Sequence, residues 1–546
     1  MVDFELLIKI IIIIVYLGIV ATLGVVAYRK TKTASDYLIG GRKTHPTVMA
    51  LSYGATFIST SAIVGFGGNA AVFGFSLLWL TFLNIFLGIF IAFIFFGKRT
   101  RRIGLNLNAH TFPEFLGKRY QSKFIQKFIG WVIFIFMPIY ATAVMIGVAR
   151  ILESSLGVPY EIALFAFSAI VAVYVLFGGI KGVMYTDAFQ GGLMLIGMAI
   201  LLVTTYFQLG GIGSAHQQLT DLASNPAVAE QIKGLAAGGF VGWTSMPELF
   251  SKYWWIVVST IVMGVGIGVL SQPQLVVRFM TVNSDREINR GVPIGGVFIL
   301  LMTGVAFVIG ALSNVLFFKA DGLIAIAAAQ GVTDSIIPLF LDRFMPGWFA
   351  TVFLIVLLAA GMSTMSSQFH TIGTAVGRDI YSANKKDSKN SLLITRIGVL
   401  IAIILTILLS YILPNVWDGA ITIATALFFG LCCAAFLPMY IGALYFPRLS
   451  KTAVISGMIA GFCSSLLWMV FVHSKESAVI KLCELIFGVP TLSPAGSVLE
   501  FVDPLIIALP ISVLVTIIVQ LVSKKRYQQE HIEKCFSGVI QTEKAV

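Results

Sequence analysis

Several polar side chains lie on one face of an otherwise apolar segment, residues 359–370, with the sequence AAGMSTMSSQFH. They stand at helical spacing: Ser363, Thr364, Ser366, Ser367 and His370. In a membrane, such a face must turn toward other helices or a water-filled cavity. Neutral hydroxyl oxygens suit a small, hard cation such as sodium. Alternatively, the hydroxyls join helices or bond to their own helix backbone, and the residues alone leave both interpretations open.

A carboxylate, Asp187, falls inside a predicted membrane segment and away from its ends. Ionisable groups at such depth are costly and mark functional sites by default. The alternative is a structural ion pair with the nearby Lys181 at the membrane boundary. We therefore expect either a cation ligand or a boundary salt bridge at this position.

Residues that break helices interrupt three apolar segments. Residues 50–70 combine five serine and threonine hydroxyls with a cluster of Gly65, Gly67 and Gly68, residues 261–277 combine three glycines with Pro273, and a later segment carries Gly430 and Pro438. Backbone carbonyls freed at membrane depth persist only where they line a cavity or bind something. The first two segments are five spans apart, so they cross in opposite directions, as in a five-plus-five inverted repeat with broken first helices. Close helix packing at the glycines is the alternative.

Composition establishes the broad class. The chain of 546 residues is 58% hydrophobic and 11% charged, with a mean hydropathy of +0.94. Soluble domains carry about 25% charge, so this is an all-α polytopic membrane protein. Its five cysteines and six histidines show no metal-ligand spacing. The net charge of +12 is spread over many loops, which gives no indication of nucleic-acid binding.

Hydropathy predicts about thirteen transmembrane helices. They lie near 5–28, 46–72, 76–97, 125–152, 158–179, 182–207, 253–277, 291–317, 345–375, 395–414, 418–446, 452–473 and 504–523. With the N-terminus outside and the C-terminus cytoplasmic, 29 of the 37 lysines and arginines fall on the inner side. The predicted organisation is an extra helix and loop (1–45), a first repeat (46–207), an outer loop (208–252), a second repeat (253–446), two further helices (447–523) and a tail (524–546).

Seven sequence strings, in order, resemble the sodium:solute symporter family. They are SDYLIGGR (35–42), TFPEFLGKRY (111–120), IYATAVMIGVARILESSLGVPYEIAL (139–164), GGIKGVMYTDAFQ (178–190), SQPQLVVRFM (271–280), AAGMSTMSSQ (359–368) and RDIY (378–381). The resemblance covers roughly residues 30–450 and is strongest to the sodium/proline and sodium/pantothenate branch. It implies a sodium-coupled importer in the cell membrane that works by alternating access, with the lipid bilayer, sodium and a small solute as its partners.

The resemblance also implies the sodium sites. One site would use backbone carbonyls of the broken second span and groups of the ninth: Ala55, Ile58, Ala360, Ser363 and Thr364. A second site, present in some members, would use Asp187 with Ser363, Ser366 and Ser367. All of these serines are present, so the expectation is one or two sodium ions per cycle and no organic cofactor.

The substrate cavity should be lined by the broken spans with help from the third and fourth. The expected residues are Phe57, Ser59, Thr60, Ser61, Asn84, Tyr140, Thr142, Gln272 and Gln274. Phe57 stands where the proline carrier has an aspartate, which removes a partner for a substrate amine. With no arginine or lysine expected at depth, we predict a monocarboxylate such as lactate, pyruvate or acetate. Proline or another amino acid, or pantothenate, is the alternative.

Other functional classes are less consistent with the sequence. There is no nucleophile–base pair, phosphate loop or metal cluster that indicates an enzyme. A channel needs no broken inverted repeat, and the 23 residues after the last span are too few for the kinase of a transporter-like sensor. His370 could couple transport to pH, or it could be a neutral buried imidazole bonded to a backbone carbonyl.

Overall fold

The computed structural model describes residues 4–29, 33–384, 391–416, 419–494, 496–523 and 528–539. These residues form helices and connecting turns, and none of them is in a strand. Eleven helices in this part of the chain are long and apolar enough to cross a membrane. The all-helical, multi-spanning class predicted from composition is therefore confirmed.

The α-helices are numbered in chain order. They are α1 (Phe4–Arg29), α2 (Ala34–Ile39), α3 (Pro46–Phe57), α4 (Phe66–Phe73), α5 (Leu78–Ile85), α6 (Lys98–Asn106), α7 (Phe112–Arg119), α8 (Lys123–Leu156), α9 (Tyr160–Gln208), α10 (Ile212–Ala223), α11 (Pro226–Ala237), α12 (Lys252–Trp255), α13 (Gly266–Gly268), α14 (Pro273–Phe279), α15 (Asp285–Ile299), α16 (Val305–Asp321), α17 (Ala325–Ala328), α18 (Ile336–Phe344), α19 (Gly347–Thr374), α20 (Ser391–Ile412), α21 (Ala420–Tyr445), α22 (Lys451–Phe471), α23 (Ser474–Ile480), α24 (Leu482–Phe487), α25 (Pro504–Val522) and α26 (Gln529–Phe536).

Short 3₁₀ and π segments extend or link these helices. The 3₁₀ turns are Gly40–Arg42, Gly74–Leu77, Val269–Ser271, Thr333–Ser335, Ser382–Asn384, Leu413–Asn415 and Val498–Phe501. The π-helical segments are Ser61–Gly65, Phe86–Gly97, Ile256–Val265, Leu300–Gly304 and Ala375–Tyr381. Each of the thirteen predicted spans coincides with helix, whereas the count of thirteen, the sidedness and the domain limits stay predictions.

Two helices are broken. Helix α3 ends at Phe57, Ile58 adopts an extended backbone (φ −93°, ψ 102°), and helical structure resumes near Ser61. The second break is at Gln272 (φ −70°, ψ 117°), directly before Pro273 begins α14. Both breaks fall in the segments that the sequence marks, while the repeat symmetry itself stays a prediction.

The expected interruption near Gly430 and Pro438 is wrong. Helix α21 runs without a break through both residues and is buried along nearly its whole length. A proline removes one backbone hydrogen bond, and neighbouring helices can compensate for one such loss inside a membrane bundle.

The link expected between the fifth and sixth spans is instead a kink inside α9. Gly179 has φ 59°, and a Cβ atom at this position would lie 2.8 Å from the ring of Tyr37. Glycine is required here because it adopts positive φ without strain and lets the ring approach.

Helix α19 lies at the centre of the bundle and packs against α3, α8, α9 and α20. Nearly all of its residues from Phe349 to Thr374 are buried, including the polar ones. The last long helices, α22 and α25, pack on each other and on α21 at one side. The polar face predicted for residues 359–370 therefore lies in the protein interior.

Candidate functional site

The break after α3 lies against the hydroxyl face of α19. Ser363 Oγ donates to the carbonyl of Ala55 at 2.9 Å and to that of Ala360 at 3.1 Å. Thr364 Oγ1 lies 3.3 Å from the Ala55 carbonyl and 3.1 Å from the Thr56 carbonyl. The structure thus brings together four of the five residues predicted for the first sodium site.

The fifth residue, Ile58, is the first residue beyond α3. Its extended backbone turns its carbonyl out of the helical hydrogen-bond ladder, and the residue is buried. A normal helix would bond the Ala55 carbonyl to the amide of residue 59, and the break leaves that carbonyl to side-chain hydroxyls instead. The result is a buried cluster of neutral oxygens, which is a suitable ligand set for a monovalent cation.

The described contacts of Asp187 include a basic residue that neither expectation named. Its Oδ2 accepts hydrogen bonds from Ser52 Oγ at 2.8 Å and Thr56 Oγ1 at 3.2 Å, and Ser367 Oγ lies 3.4 Å away. Arg278 Nη2 lies 3.0 Å from the same oxygen. The Arg278 side chain is 1% exposed and the Asp187 side chain is 0% exposed. Asp187 therefore forms a buried ion pair with an arginine.

Two sequence interpretations are corrected here. Lys181 pairs with Asp36, at 3.8 Å, rather than with Asp187. The expectation that no basic residue is buried near the site is also wrong. Arg278 follows the Gln272 break on α14 and is buried in the protein, although its position in the sequence predicts an inner loop.

The serines predicted for the second sodium site differ in their contacts. Ser366 donates to the carbonyl of Ser363 at 3.0 Å, within their own helix. Ser367 shares a hydrogen bond of 2.8 Å with Thr56 and accepts one of 2.6 Å from Arg278. Of the three serines, only Ser367 contacts the Asp187 carboxylate in the described hydrogen bonds, and the second site stays a prediction.

A small cavity lies beyond the α3 break, and it is lined by aromatic, aliphatic and neutral polar side chains. Four predicted substrate residues line it: Phe57, Ser61, Asn84 and Tyr140. Tyr140 meets the ring of Phe429 edge-on at 5.1 Å between centroids, and Phe57 stacks on Phe429 at 6.4 Å. No charged residue lines the cavity in the part of the chain that the structure describes.

The other predicted substrate residues bond elsewhere. Ser59 bonds to Ser61 Oγ (2.5 Å), Thr60 donates to the Val144 carbonyl (2.9 Å), Thr142 to the Pro138 carbonyl (2.9 Å), Gln272 to the Gly268 carbonyl (3.3 Å) and Gln274 to Gln272 Oε1 (3.3 Å). None of these five lines the cavity.

Sequence reasoning missed several lining residues, notably Thr303, Thr425 and Phe429. Thr425 and Phe429 lie one turn apart on α21 and therefore share a helix face. This spacing is the sequence pattern that could have indicated a cavity-lining face. Thr303 lies in the π-helical segment Leu300–Gly304, which carries no proline or glycine cluster to draw attention to it.

His370 lies in a second cavity, near the end of α19. Its ring is 5.4 Å from the ring of Tyr37, and the cavity is also lined by Thr111 and Asp379. Asp379 Oδ1 accepts from Thr111 Oγ1 at 2.7 Å. The described hydrogen bonds do not include the backbone carbonyl bond expected for His370, and its coupling to pH stays a prediction.

Outside the membrane segments, Glu114 anchors the TFPEFLGKRY motif. It contacts Arg378 at 2.9 Å and Lys118 at 2.8 Å. Burial alone would raise the pKa of Glu114, but hydrogen bonding by His110 and the charges of Arg378 and Lys118 outweigh it and hold the pKa well below its ordinary value. The carboxylate therefore stays ionised and ties α7 to the segment after α19.

Comparisons with known proteins identify the family of the chain. The family model "Sodium:solute symporter family" matches residues 37–461. The chain is 29% identical over 453 residues to the high-affinity proline transporter PutP of Bacillus subtilis (strain 168), covering 82% of this chain and 89% of the relative. It is 29% identical to the sodium/proline symporter of Escherichia coli (strain K12), covering 84% and 87% of the two chains.

It is also 28% identical to the sodium/pantothenate symporter of Haemophilus influenzae, covering 83% of this chain and 89% of that protein. Its fold is similar to that of a substrate-bound, outward-open Na⁺-coupled sialic acid symporter, with a TM-score of 0.74 at 19% identity over 95% of this chain and 98% of the other. The relatives are transporters and not enzymes. The chain is a multi-pass plasma membrane protein that belongs to the sodium:solute symporter family.

Proposed function

We propose that the protein imports a small organic solute together with sodium, with proline as the leading candidate and pantothenate as the second. The observation that carries the proposal is the neutral oxygen cluster of Ala55, Ser363 and Thr364 beside a cavity that is partly lined by aromatic side chains. The break in α3 supplies groups to both the oxygen cluster and the cavity, so the binding of sodium and the binding of the solute affect each other. Alternating access between inverted repeats completes the proposal.

Hydrogen-bond acceptors in the cavity indicate the solute class. Asn84 Oδ1 is buried and has no hydrogen-bond partner among the described residues. The hydroxyls of Thr303 and Thr425 donate to the carbonyls of Ile299 and Ile421 in their own helices, so their oxygens keep lone pairs for a ligand. A solute that carries N–H or O–H donors satisfies these groups, and a buried acceptor left unpaired costs about 1–3 kcal/mol.

Proline and pantothenate both carry such donors. Proline has a secondary ammonium, and pantothenate has an amide and hydroxyls. Acetate and pyruvate have no donor and lactate has one hydroxyl, so the cavity does not support the monocarboxylate expectation. The names of the relatives also favour proline and pantothenate.

The aromatic wall can compensate for the missing aspartate at Phe57. An ammonium group near aromatic faces gains about 0.5–2 kcal/mol from the cation–π interaction. The ring of Phe429 contacts the rings of both Phe57 and Tyr140 at the cavity. The pyrrolidine ring of proline would pack on these rings, while pantothenate needs no acidic partner at all.

One sodium ion supplies enough energy for accumulation. A membrane potential of about 100 mV contributes roughly 2.3 kcal/mol per charge, and a tenfold sodium gradient adds about 1.4 kcal/mol. Together these correspond to roughly 500-fold accumulation of a neutral solute. A neutral oxygen site can also release sodium on the inner side, where its concentration is low.

The test is uptake of radiolabelled proline into proteoliposomes with an inward sodium gradient or with choline in its place. We expect sodium-dependent uptake that unlabelled proline abolishes and that acetate, pyruvate and lactate leave unchanged. Pantothenate is then tested as a competitor and as a labelled solute. Sodium-independent uptake, or no uptake of either solute by folded protein, would overturn the proposal.

A further inference from the structure

The Arg278 guanidinium lies where the resemblance expects a second sodium ion. Its Nη2 contacts Asp187 Oδ2 at 3.0 Å and Ser367 Oγ at 2.6 Å, and it also contacts Thr56 Oγ1. Its Nε donates to Ser52 Oγ at 3.0 Å. A cation therefore already stands beside the carboxylate, surrounded by the hydroxyls that would ligate a metal ion.

We propose that Arg278 takes the place of a second sodium ion at Asp187, so that the protein carries one sodium per solute. The inference rests on the proposed sodium-coupled transport and fixes its stoichiometry. Arginine does not lose its proton in proteins, so the guanidinium is a permanent positive charge at this position.

The structure holds Arg278 from several sides. Serine and threonine hydroxyls of α3 bind it, Asp187 binds it from α9 and Ser367 from α19. Its Nη1 also donates to the carbonyl of Gln274 in its own helix. Arg278 is 1% exposed, so a sodium ion at this position would have to displace an almost fully buried guanidinium.

The charges around the carboxylate are balanced in this arrangement. Lys181, the other nearby cation, is engaged with Asp36. Asp187 Oδ1 is buried without a hydrogen-bond partner, but the ion pair already neutralises the carboxylate as a whole. Removing the guanidinium would leave an uncompensated buried charge, which is strongly unfavourable and which a sodium ion can neutralise. Arg278→Gln should therefore create the second sodium site.

The experiment counts sodium ions directly. Binding of radiolabelled sodium to purified protein is measured without solute, and the ratio of sodium to solute uptake is measured in proteoliposomes. We expect one sodium per protein and a ratio of one for the wild type, and two bound sodium ions for Arg278→Gln. Lys181→Gln is the matched control, because it removes a cation from a more exposed pair, and it should bind one.

Three results would overturn the inference: two sodium ions bound to the wild type, a single sodium ion bound to folded Arg278→Gln, or loss of sodium binding in Asp187→Asn. The Asp187→Asn variant keeps the test decisive should Arg278→Gln fail to fold, because it should still bind one sodium with unchanged affinity. A folded protein that takes up no proline or pantothenate with sodium would refute the proposed function. Active transport with two sodium ions would refute only the role of Arg278.

Discussion

Replacing Ser363 by alanine tests the first sodium site most directly. The serine hydroxyl is one of two that reach the Ala55 carbonyl, and it also contacts the Ala360 carbonyl. Alanine removes the oxygen and leaves the helix backbone unchanged. Because α19 is a long helix in which alanine is favourable, we expect a folded protein.

The expected magnitude follows from the number of ligands. An interaction between a hydroxyl and a charged group contributes about 1.5–3 kcal/mol, and one of about five oxygen ligands is lost. At about 1.4 kcal/mol per tenfold, the sodium concentration for half-maximal uptake should rise roughly 10- to 150-fold. Loss of two neutral hydrogen bonds should cost only about 1–3 kcal/mol of unfolding free energy.

The assay is the initial rate of solute uptake as a function of external sodium. Thr371→Val is the matched control, since its hydroxyl lies on α19 and bonds to the Ser367 carbonyl at 2.8 Å. The control should shift the sodium curve less than about twofold, because this half-buried hydroxyl bonds within its own helix and is not one of the proposed sodium ligands. A well-folded Ser363→Ala protein with an unaltered sodium curve would refute the site assignment.

Three further predictions test the cavity, the kink and the acidic anchor. Asn84→Leu should raise the solute concentration for half-maximal uptake about tenfold and leave the sodium curve at saturating solute unchanged, because it removes the unpaired Oδ1 from the cavity; an unchanged solute curve would contradict this. Gly179→Ala should lower the melting temperature, because its Cβ would lie 2.8 Å from the Tyr37 ring at φ 59°, while Gly192→Ala, with open space around it, should not. Folding lowers the pKa of Glu114, so this carboxylate stabilises the protein above its ordinary pKa of 4.5, and the stabilisation is lost as the pH falls below that value. On acidification, the melting temperature of Glu114→Gln should therefore fall less than that of the wild type. Parallel melting-temperature profiles for the two proteins would contradict the assignment.

The parts of the fold that depend on periodicity could be predicted from the sequence. The hydroxyl face of α19 is visible as a helical repeat, and it lies in the interior beside the α3 break as expected. The kink at Gly179 could not be predicted from the sequence. Glycine is required there because the ring of Tyr37, which is distant in the sequence, packs against this position.

The glycines of the second span illustrate a different limit. The chain breaks at Ile58, before the cluster of Gly65, Gly67 and Gly68, and the last two of these glycines lie within the regular helix α4. A Cβ atom on Gly68 would lie 2.2 Å from the carbonyl oxygen of Thr333. These glycines therefore serve close packing, which was the alternative interpretation, while the break is made by the residues before them.

The ion pair could not be predicted because the charge count places Arg278 in an inner loop. Arg278 and Asp187 are 91 residues apart, and neither residue carries a local signal of the other. The same long-range dependence explains the missed cavity residues Thr303 and Thr425, which lie on helices that are distant in the chain and meet only after folding.

The neutral character of the proposed first sodium site has a consequence for the electrical behaviour of the transport cycle. The site consists of carbonyls and hydroxyls, and Asp187 and Arg278 cancel each other. Without sodium, these groups around the α3 break carry no net charge through the membrane field, so the return of the empty carrier should be insensitive to voltage. With one sodium bound, reorientation carries one elementary charge, worth about 2.3 kcal/mol per 100 mV. The membrane potential thus acts on the loaded step, and it favours the inward direction.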